Sequence, residues 1–367
     1  MKKLLIIAPI SALSKRTRVK KVAKIFHENG FELFHLGWER NKGESEEDLN
    51  FGINKKIIIH GGGYGGRFTR FLYILWIIKV SIFLIMRGND FTHIYCLGLE
   101  SALPAVFLNF KKKKIIFDDA DRLILILSLP QIITKTIEKL EKITSQKSFV
   151  HIIPNKERYN YKTSKMVVLK NTPDEEEFKK ARSLIINFNR KKLNVYINGW
   201  LGKLRGVPIF LEVAKILENE DIAFLLAGRN GCEEANEMSR LKNVVYLGNL
   251  KNYEALAYYK VSDIVVTFYD PKMKINQYAE ANKWGDAIYF NVPILVNSEV
   301  KTANFLRESD VCFSFKYNDI DGIAKFLKEL INNKEQLYFK KNNIIKLKKR
   351  VAFFDQNLKI ILKEILN

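Results

Sequence analysis

Asn282-Lys283-Trp284-Gly285-Asp286-Ala287-Ile288-Tyr289-Phe290-Asn291-Val292-Pro293, running into Ile294-Leu295-Val296, decides the fold. It reads as a short helix that stops abruptly before a buried strand. Asn282 is placed as the N-cap, and Asn291 followed by Pro293 as the stop. Lys283 and Asp286 are three apart and Asn282 and Asp286 four apart, so the three side chains share one face near the helix start. That end gathers backbone N–H groups and positive dipole, which suits a phosphate. A lysine there adds charge, and a carboxylate takes hydroxyl donors of a sugar ring. On spacing alone the segment also fits a capped helix with a local Lys–Asp pair.

Working outward, strand and helix signals alternate in two blocks. In the first, strands are expected at Leu4–Pro9, Phe31–Leu36, Lys56–His60, Thr92–Leu97, Lys114–Phe117, Lys147–Ile153 and Met166–Leu169, with a helix at Val19–Asn29. The pattern restarts with strands at Leu193–Ile197, Ile222–Ala227, Val244–Leu247, Ile264–Phe268, Ile294–Val296 and Val311–Phe315, and helices at Val207–Glu218 and Tyr253–Tyr259. Two such blocks predict two doubly wound α/β domains. The break falls near Asn171-Thr172-Pro173, before the acids Asp174 to Glu177, and a last helix is expected at Val351–Leu366.

At 367 residues the chain is long enough for two cores. Met1-Lys2-Lys3 and the short run Leu4 to Ile7 do not make a signal peptide. Cys96, Cys232 and Cys312 are far apart with no metal-ligand spacing, so a reduced, cytoplasmic compartment is expected. The net charge of +21 is uneven: residues 1–172 hold 30 Lys+Arg against 15 Asp+Glu, and the rest holds 31 against 25. Such a surplus points to anionic partners. Biased Lys/Ile/Asn usage explains part of the surplus but not its asymmetry.

Phe71–Met86 is nearly all apolar, interrupted by Lys79 and flanked by Arg67, Arg70 and Arg87. It is shorter than the roughly 20 residues of a membrane span, and a central lysine opposes insertion. Two readings stand: a buried helix of the first domain, or a helix lying in a membrane interface with its arginines on lipid phosphates.

Several motifs fall at expected strand ends. Ser14-Lys15-Arg16-Thr17-Arg18 follows the first strand, at the edge where α/β sheets bind ligands, so Arg16 or Arg18 is a candidate for an acceptor phosphate. His60-Gly61-Gly62-Gly63-Tyr64-Gly65-Gly66 lacks the ending of a P-loop; Gly62 and Gly63 are candidate acceptor-loop residues, with a flexible connector as the rival. Asp118-Asp119-Ala120-Asp121 invites a hard-cation reading, but carboxylates at a strand end are commoner as loop caps, so no metal is expected.

Four patches together suggest a family. They are Thr17-Arg18-Val19 with Gly30-Phe31-Glu32-Leu33 and Leu36-Gly37-Trp38-Glu39-Arg40; Asp90-Phe91-Thr92-His93-Ile94-Tyr95 with Ile116-Phe117-Asp118-Asp119-Ala120-Asp121; Gly199-Trp200-Leu201 through Arg205-Gly206; and Val244-Val245-Tyr246-Leu247-Gly248, Ser262-Asp263-Ile264 and Tyr269-Asp270-Pro271 before the opening helix. In order and spacing they resemble the retaining glycosyltransferases of family 4, in the bacterial surface-polysaccharide branch. The resemblance implies the GT-B fold of two facing Rossmann-like domains: residues 1–172, completed by 346–367 through a C-terminal helix crossing back, and residues 173–345. It implies transfer from a nucleotide-sugar donor to a polyprenyl-diphosphate-linked glycan, for capsule or O-antigen, with the basic first domain at the cytoplasmic face of the membrane. The nucleotide sugar is a co-substrate, and neither a cofactor nor a metal is implied.

Residue by residue, Asp286 matches the second acid of the family's paired-acid motif, which binds the nucleotide ribose. Lys283 and Arg205 match the cations on the donor diphosphate, with Gly199 and Lys203 in the same loop and Asn282 beside it. Arg229, after the Gly228 turn, is a further donor-site candidate, with a solvated arginine as the alternative. The chain departs from the family in two places. Tyr278 stands where many members have the first acid, with Glu280 two residues on, and Ala120 replaces a first-domain histidine. Asp121 and Asp118 are then the catalytic candidates at that strand end, and neither is named as a general base. Two rivals remain: a basic protein binding anionic lipid or nucleic acid without chemistry, and a nucleotide-sugar epimerase on the same fold. The chain lacks the interleaved aromatic and basic clusters of a single-strand binder, so no nucleic acid partner is expected.

Overall fold

The strand Lys3–Ala8 (β1) is apolar almost throughout, and its residues from Leu4 on are buried on both faces of a parallel sheet. Around it stand Glu32–Glu39 (β2), Asn54–His60 (β3), His93–Leu97 (β4), Lys114–Asp118 (β5), Val150–Ile153 (β6) and Met166–Val168 (β7). The order is β3-β2-β1-β4-β5-β6-β7, with every pair parallel. A second parallel sheet comprises Leu193–Asn198 (β8), Ile222–Ala227 (β9), Val244–Tyr246 (β10), Ile264–Thr267 (β11), Ile294–Asn297 (β12) and Cys312–Phe315 (β13), in the order β10-β9-β8-β11-β12-β13. Both sheets are doubly wound about a central first strand. This computed structural model describes residues 2–44, 49–63, 69–109, 111–127 and 129–366.

The chain divides into two compact units, Met1–Leu169 with Asp355–Asn367, and Lys170–Phe354. The first boundary lies three residues before the expected 172, for a packing reason. Lys170 pairs with Glu280 at 2.9 Å, and the Asn171–Thr172 backbone lies against Gly285. The return to the first unit comes at Asp355 rather than 346. The helix Glu335–Lys348 buries Leu337 and Ile344 in the second unit's cores and so belongs there. The expected single last helix is two short ones, Phe354–Ile361 and Lys363–Leu366, hinged at Leu362. Their end is held in the first unit by Lys2 Nζ, 3.1 Å from the Leu366 carbonyl.

The apolar segment near residue 71 is the helix Thr69–Arg87. It is not a buried helix. Trp76, Val80, Phe83 and Leu84 enter the first unit's core, whereas Phe71, Ile74, Ile78, Ile82 and Ile85 on the other side are exposed. Arg67 lies outside the described residues, as does the side chain of Arg70.

Gly285 lies on the buried face of the helix Asn282–Phe290. A Cβ there would stand 2.2 Å from the Asn171 carbonyl oxygen and 2.7 Å from Thr172 Cα, both backbone atoms. Gly285→Ala must therefore push the helix off the strap that leads into the second unit, at about 1–3 kcal/mol. The expected result is a fall of roughly 3–10 °C in the unit's calorimetric midpoint; an unchanged midpoint would show that the strap yields freely.

Candidate functional site

In a parallel doubly wound sheet all strands end at one edge, and ligands bind where the winding reverses. In the second unit that point lies between β8 and β11. The loop after β8 (residues 199–206) and the segment from β11 to the helix Asn282–Phe290 both emerge there. The β8 and β9 loops are laced together: Leu201 N–H donates to the Arg229 carbonyl at 3.1 Å, and Gly231 N–H to the Leu201 carbonyl at 2.8 Å. Gly228 has φ +141, and a Cβ on it would lie 1.7 Å from the Gly199 carbonyl oxygen, so only glycine lets these backbones touch.

The helix Asn282–Phe290 brings its first turn to this edge. Trp284 anchors it, its indole donating to Thr267 Oγ1 at 2.9 Å from a buried position. Asn282 is not the N-cap. Ala281 takes that place in extended conformation, and no side chain caps the helix. Asn282 becomes the first helical residue, with its side chain exposed. Asn291 does end the helix, in left-handed conformation at φ 58.

Lys283 lies across the β8 loop, its Nζ 3.1 Å from where a Cβ on Gly199 would stand. Burial pulls the ammonium down to about 8, the positive charge of Arg205 pushes the same way, and Asp286 opposes them. The Arg205 guanidinium stacks over the Tyr269 ring at 4.6 Å. Two cations thus stand near an uncapped helix N-terminus, which suits an anionic group in electrostatic character. Asp286 faces the Tyr196 and Tyr259 phenols: burial pushes both upward, and the Asp286 charge adds to it. Sequence reading missed Asn198, the last residue of β8. Its amide nitrogen is 3.4 Å from Tyr259 Oη, and its buried Oδ1 has no hydrogen-bond partner among the described residues. Its place one residue before the Gly199 turn was the available signal.

Other expected donor residues have partners or exposure of their own. Lys203 is paired with Glu234 at 2.9 Å, and that hydrogen bond raises its ammonium. Arg229 is exposed on the β9 loop. Tyr278, in place of a first acid, accepts from Lys301 Nζ at 3.2 Å, and Glu280 is held by Lys170.

In the first unit the aspartates at the β5 end go three ways. Asp118 is fully buried, taking Arg18 Nε at 2.9 and 3.0 Å and the Tyr95 hydroxyl at 2.6 Å. Arg18 Nη1 also donates to the Leu169 carbonyl at 3.2 Å. The structure thus places the catalytic candidate Asp118 and the acceptor-phosphate candidate Arg18 in one buried ion pair, each holding the other in the fold. Asp119 is buried against the Tyr159 hydroxyl at 2.7 Å. Asp121 remains accessible but pairs with Arg16 at 3.0 Å, so these two form one half-exposed ion pair. Among the described residues, no three His, Cys, Asp or Glu side chains group to hold a metal ion. Gly62 and Gly63 lie past the end of β3, where Gly63 N–H donates to the Arg40 carbonyl at 3.1 Å; Tyr64, Gly65 and Gly66 lie outside the described residues.

Sequence reading also missed Glu100, in the first turn of the helix Leu99–Phe107 after β4. Burial pushes its carboxyl up to about 7, and the nearby Arg40 and Arg16 pull it back. It stands at the switch point of the first sheet.

Neither a protein-family model nor a curated protein sequence matches the chain. Solved structures do resemble it. Trehalose-6-phosphate synthase from E. coli, bound with UDP-2-fluoro glucose, aligns at TM-score 0.69 and 10% identity, over 100% of this chain and 99% of that one. Sucrose-phosphate synthase from Thermosynechococcus elongatus aligns at 0.66 and 12%, over 100% and 99%. A putative UDP-N-acetylglucosamine 2-epimerase from Listeria monocytogenes aligns at 0.57 and 11%, over 94% and 91%. The chain has the GT-B fold along its whole length.

Proposed function

We propose that the protein is a glycosyltransferase that moves a sugar, with retention, from a nucleoside-diphosphate sugar to a glycan carried on polyprenyl diphosphate. The reading places it at the cytoplasmic face of the membrane, in the synthesis of a surface polysaccharide such as capsule or O-antigen. One observation carries the donor assignment: Lys283 crosses Gly199 at an uncapped helix start within the field of Arg205, with Asp286 one turn further along. Solved proteins of the same fold include one bound with a UDP sugar, which supports a nucleotide-sugar donor. Acceptor class, retention and cellular role rest on the sequence resemblance.

The chemistry follows from charge. As the anomeric carbon–oxygen bond to the diphosphate breaks, negative charge grows on the leaving oxygen, and two fixed cations stabilise it. The acceptor oxygen bonds to the anomeric carbon on the same face, and its proton passes to the departing phosphate oxygen. Asp286 accepts from ribose hydroxyls. The epimerase of the same fold keeps a second reading alive; it requires no acceptor, so product analysis with and without a glycan acceptor separates the two.

Calorimetry with UDP, GDP and ADP tests the donor site, and pH sharpens it. Lys283 in the empty site loses its proton near 8, and a bound diphosphate raises that value. Affinity is therefore full below this pH and falls as pH rises through it, by roughly tenfold between about pH 7 and about pH 9. Lys283→Ala should abolish the dependence. Absence of binding by all three nucleotides would overturn the reading.

A further inference from the structure

We propose that the outer face of the helix Thr69–Arg87 lies on an anionic lipid bilayer and turns the ligand-binding edge of the first sheet toward the headgroups. The lipid-borne acceptor belongs to the function proposed above, whereas the surface itself does not depend on it.

Phe71, Ile74, Ile78, Ile82 and Ile85 recur at three- and four-residue spacing and are 70, 57, 50, 52 and 65% exposed. Five large apolar side chains in one exposed stripe exceed the scattered apolar residues of an ordinary surface. Lys79 does not interrupt the stripe electrostatically, because its Nζ turns back to the Ile58 carbonyl at 2.7 Å. The helix cannot leave the unit to span a membrane without emptying the core of Trp76, Val80 and Phe83. An interfacial position keeps that core and covers the stripe.

Chain direction shows which edge meets the lipid. The helix follows β3, so its Phe71 end lies at the carboxyl edge of the sheet. The helix Gln131–Lys147 follows β5 and also starts at that edge, where Ile132 and Ile133 are exposed. Both helices pack against Leu99–Phe107 on the same face of the sheet. The apolar surface therefore widens toward the switch point that carries Arg16, Arg40 and Glu100.

Charge selects the occupant. Lys135, Lys139 and Lys142 share the exposed face of Gln131–Lys147, in a half of the chain with twice as many basic as acidic residues. Anionic headgroups complement that rim. A second copy of this chain would set like charges against each other.

The test uses the full chain with vesicles of phosphatidylcholine alone and of phosphatidylcholine mixed with phosphatidylglycerol. Co-sedimentation is expected with the anionic vesicles, weakening at high salt as charges are screened. Ile78→Glu/Ile82→Glu should lower partitioning by roughly tenfold or more, with UDP, GDP and ADP binding kept as the control for folding. Should that variant misfold, Lys135→Glu/Lys139→Glu/Lys142→Glu, all at exposed positions, should give a comparable loss. Equal partitioning of parent and folded variant overturns the proposal. So does a dimer that the isoleucine pair dissociates, seen by light scattering without binding to either vesicle. Failure of nucleotide binding in the parent would overturn the transferase reading and leave the lipid surface standing.

Discussion

Lys283→Ala should lower the turnover of sugar transfer by roughly 10²–10³-fold, the loss found when one preorganised charge-stabilising donor is removed. The same substitution should leave thermal stability intact or raise it slightly at neutral pH. Burial and Arg205 both disfavour the charged ammonium, so the folded chain bears a cost that the empty site does not return. Falling activity with steady or rising stability marks a residue held under strain for function. Asp286→Ala should instead act mainly on donor affinity, because the ribose hydroxyls are bound alike in ground and transition states. The measurement is turnover under saturating donor beside the calorimetric midpoint, with UDP, GDP and ADP protection for each variant. Near-parental turnover in Lys283→Ala together with parental donor affinity in Asp286→Ala would remove the donor site from this helix.

Arg18→Ala should destabilise the first unit by about 3–5 kcal/mol, because it strands a buried carboxylate. Asp118 has no exposed surface, and its remaining partner, the Tyr95 hydroxyl, cannot neutralise a charge. A midpoint lower by roughly 10 °C is expected for a unit of this size. Arg18→Met with Asp118→Asn should recover most of the loss, since the buried charge disappears and Tyr95 keeps a hydrogen-bond partner. Thermal unfolding of the two single variants and the double variant measures the coupling. If Arg18→Ala kept the parental midpoint and lost only acceptor use, Arg18 would return to the phosphate-binding role that its position after β1 first suggested.

That Lys283, Arg205 and Asp286 come to one sheet edge was legible because each sits beside a strong local signal: a helix start, a glycine turn, a three-residue spacing. The fate of Asp118 was not. Asp118 and Asp121 look alike in sequence, and their roles separate only because Arg18, 100 residues away, reaches one of them and Arg16 the other. Lys203 matched its loop but was taken by Glu234 from a different helix. The segment near residue 71 carried two readings because apolar composition does not say which side of a helix meets the sheet.

By itself the sequence determined the two alternating blocks, the strands of both sheets, the stop at Asn291 and the basic bias of the first half. These follow from periodicity, backbone preference and charge, which act over a few residues or over bulk composition. Tertiary structure alone decided that Lys283 crosses the Gly199 turn, that Asp118 is sealed beneath Arg18, and that Phe71, Ile74, Ile78, Ile82 and Ile85 of Thr69–Arg87 stand exposed. Each depends on which distant backbone segments approach within a few ångströms, and burial then sets the energy of every charge and apolar side chain placed there.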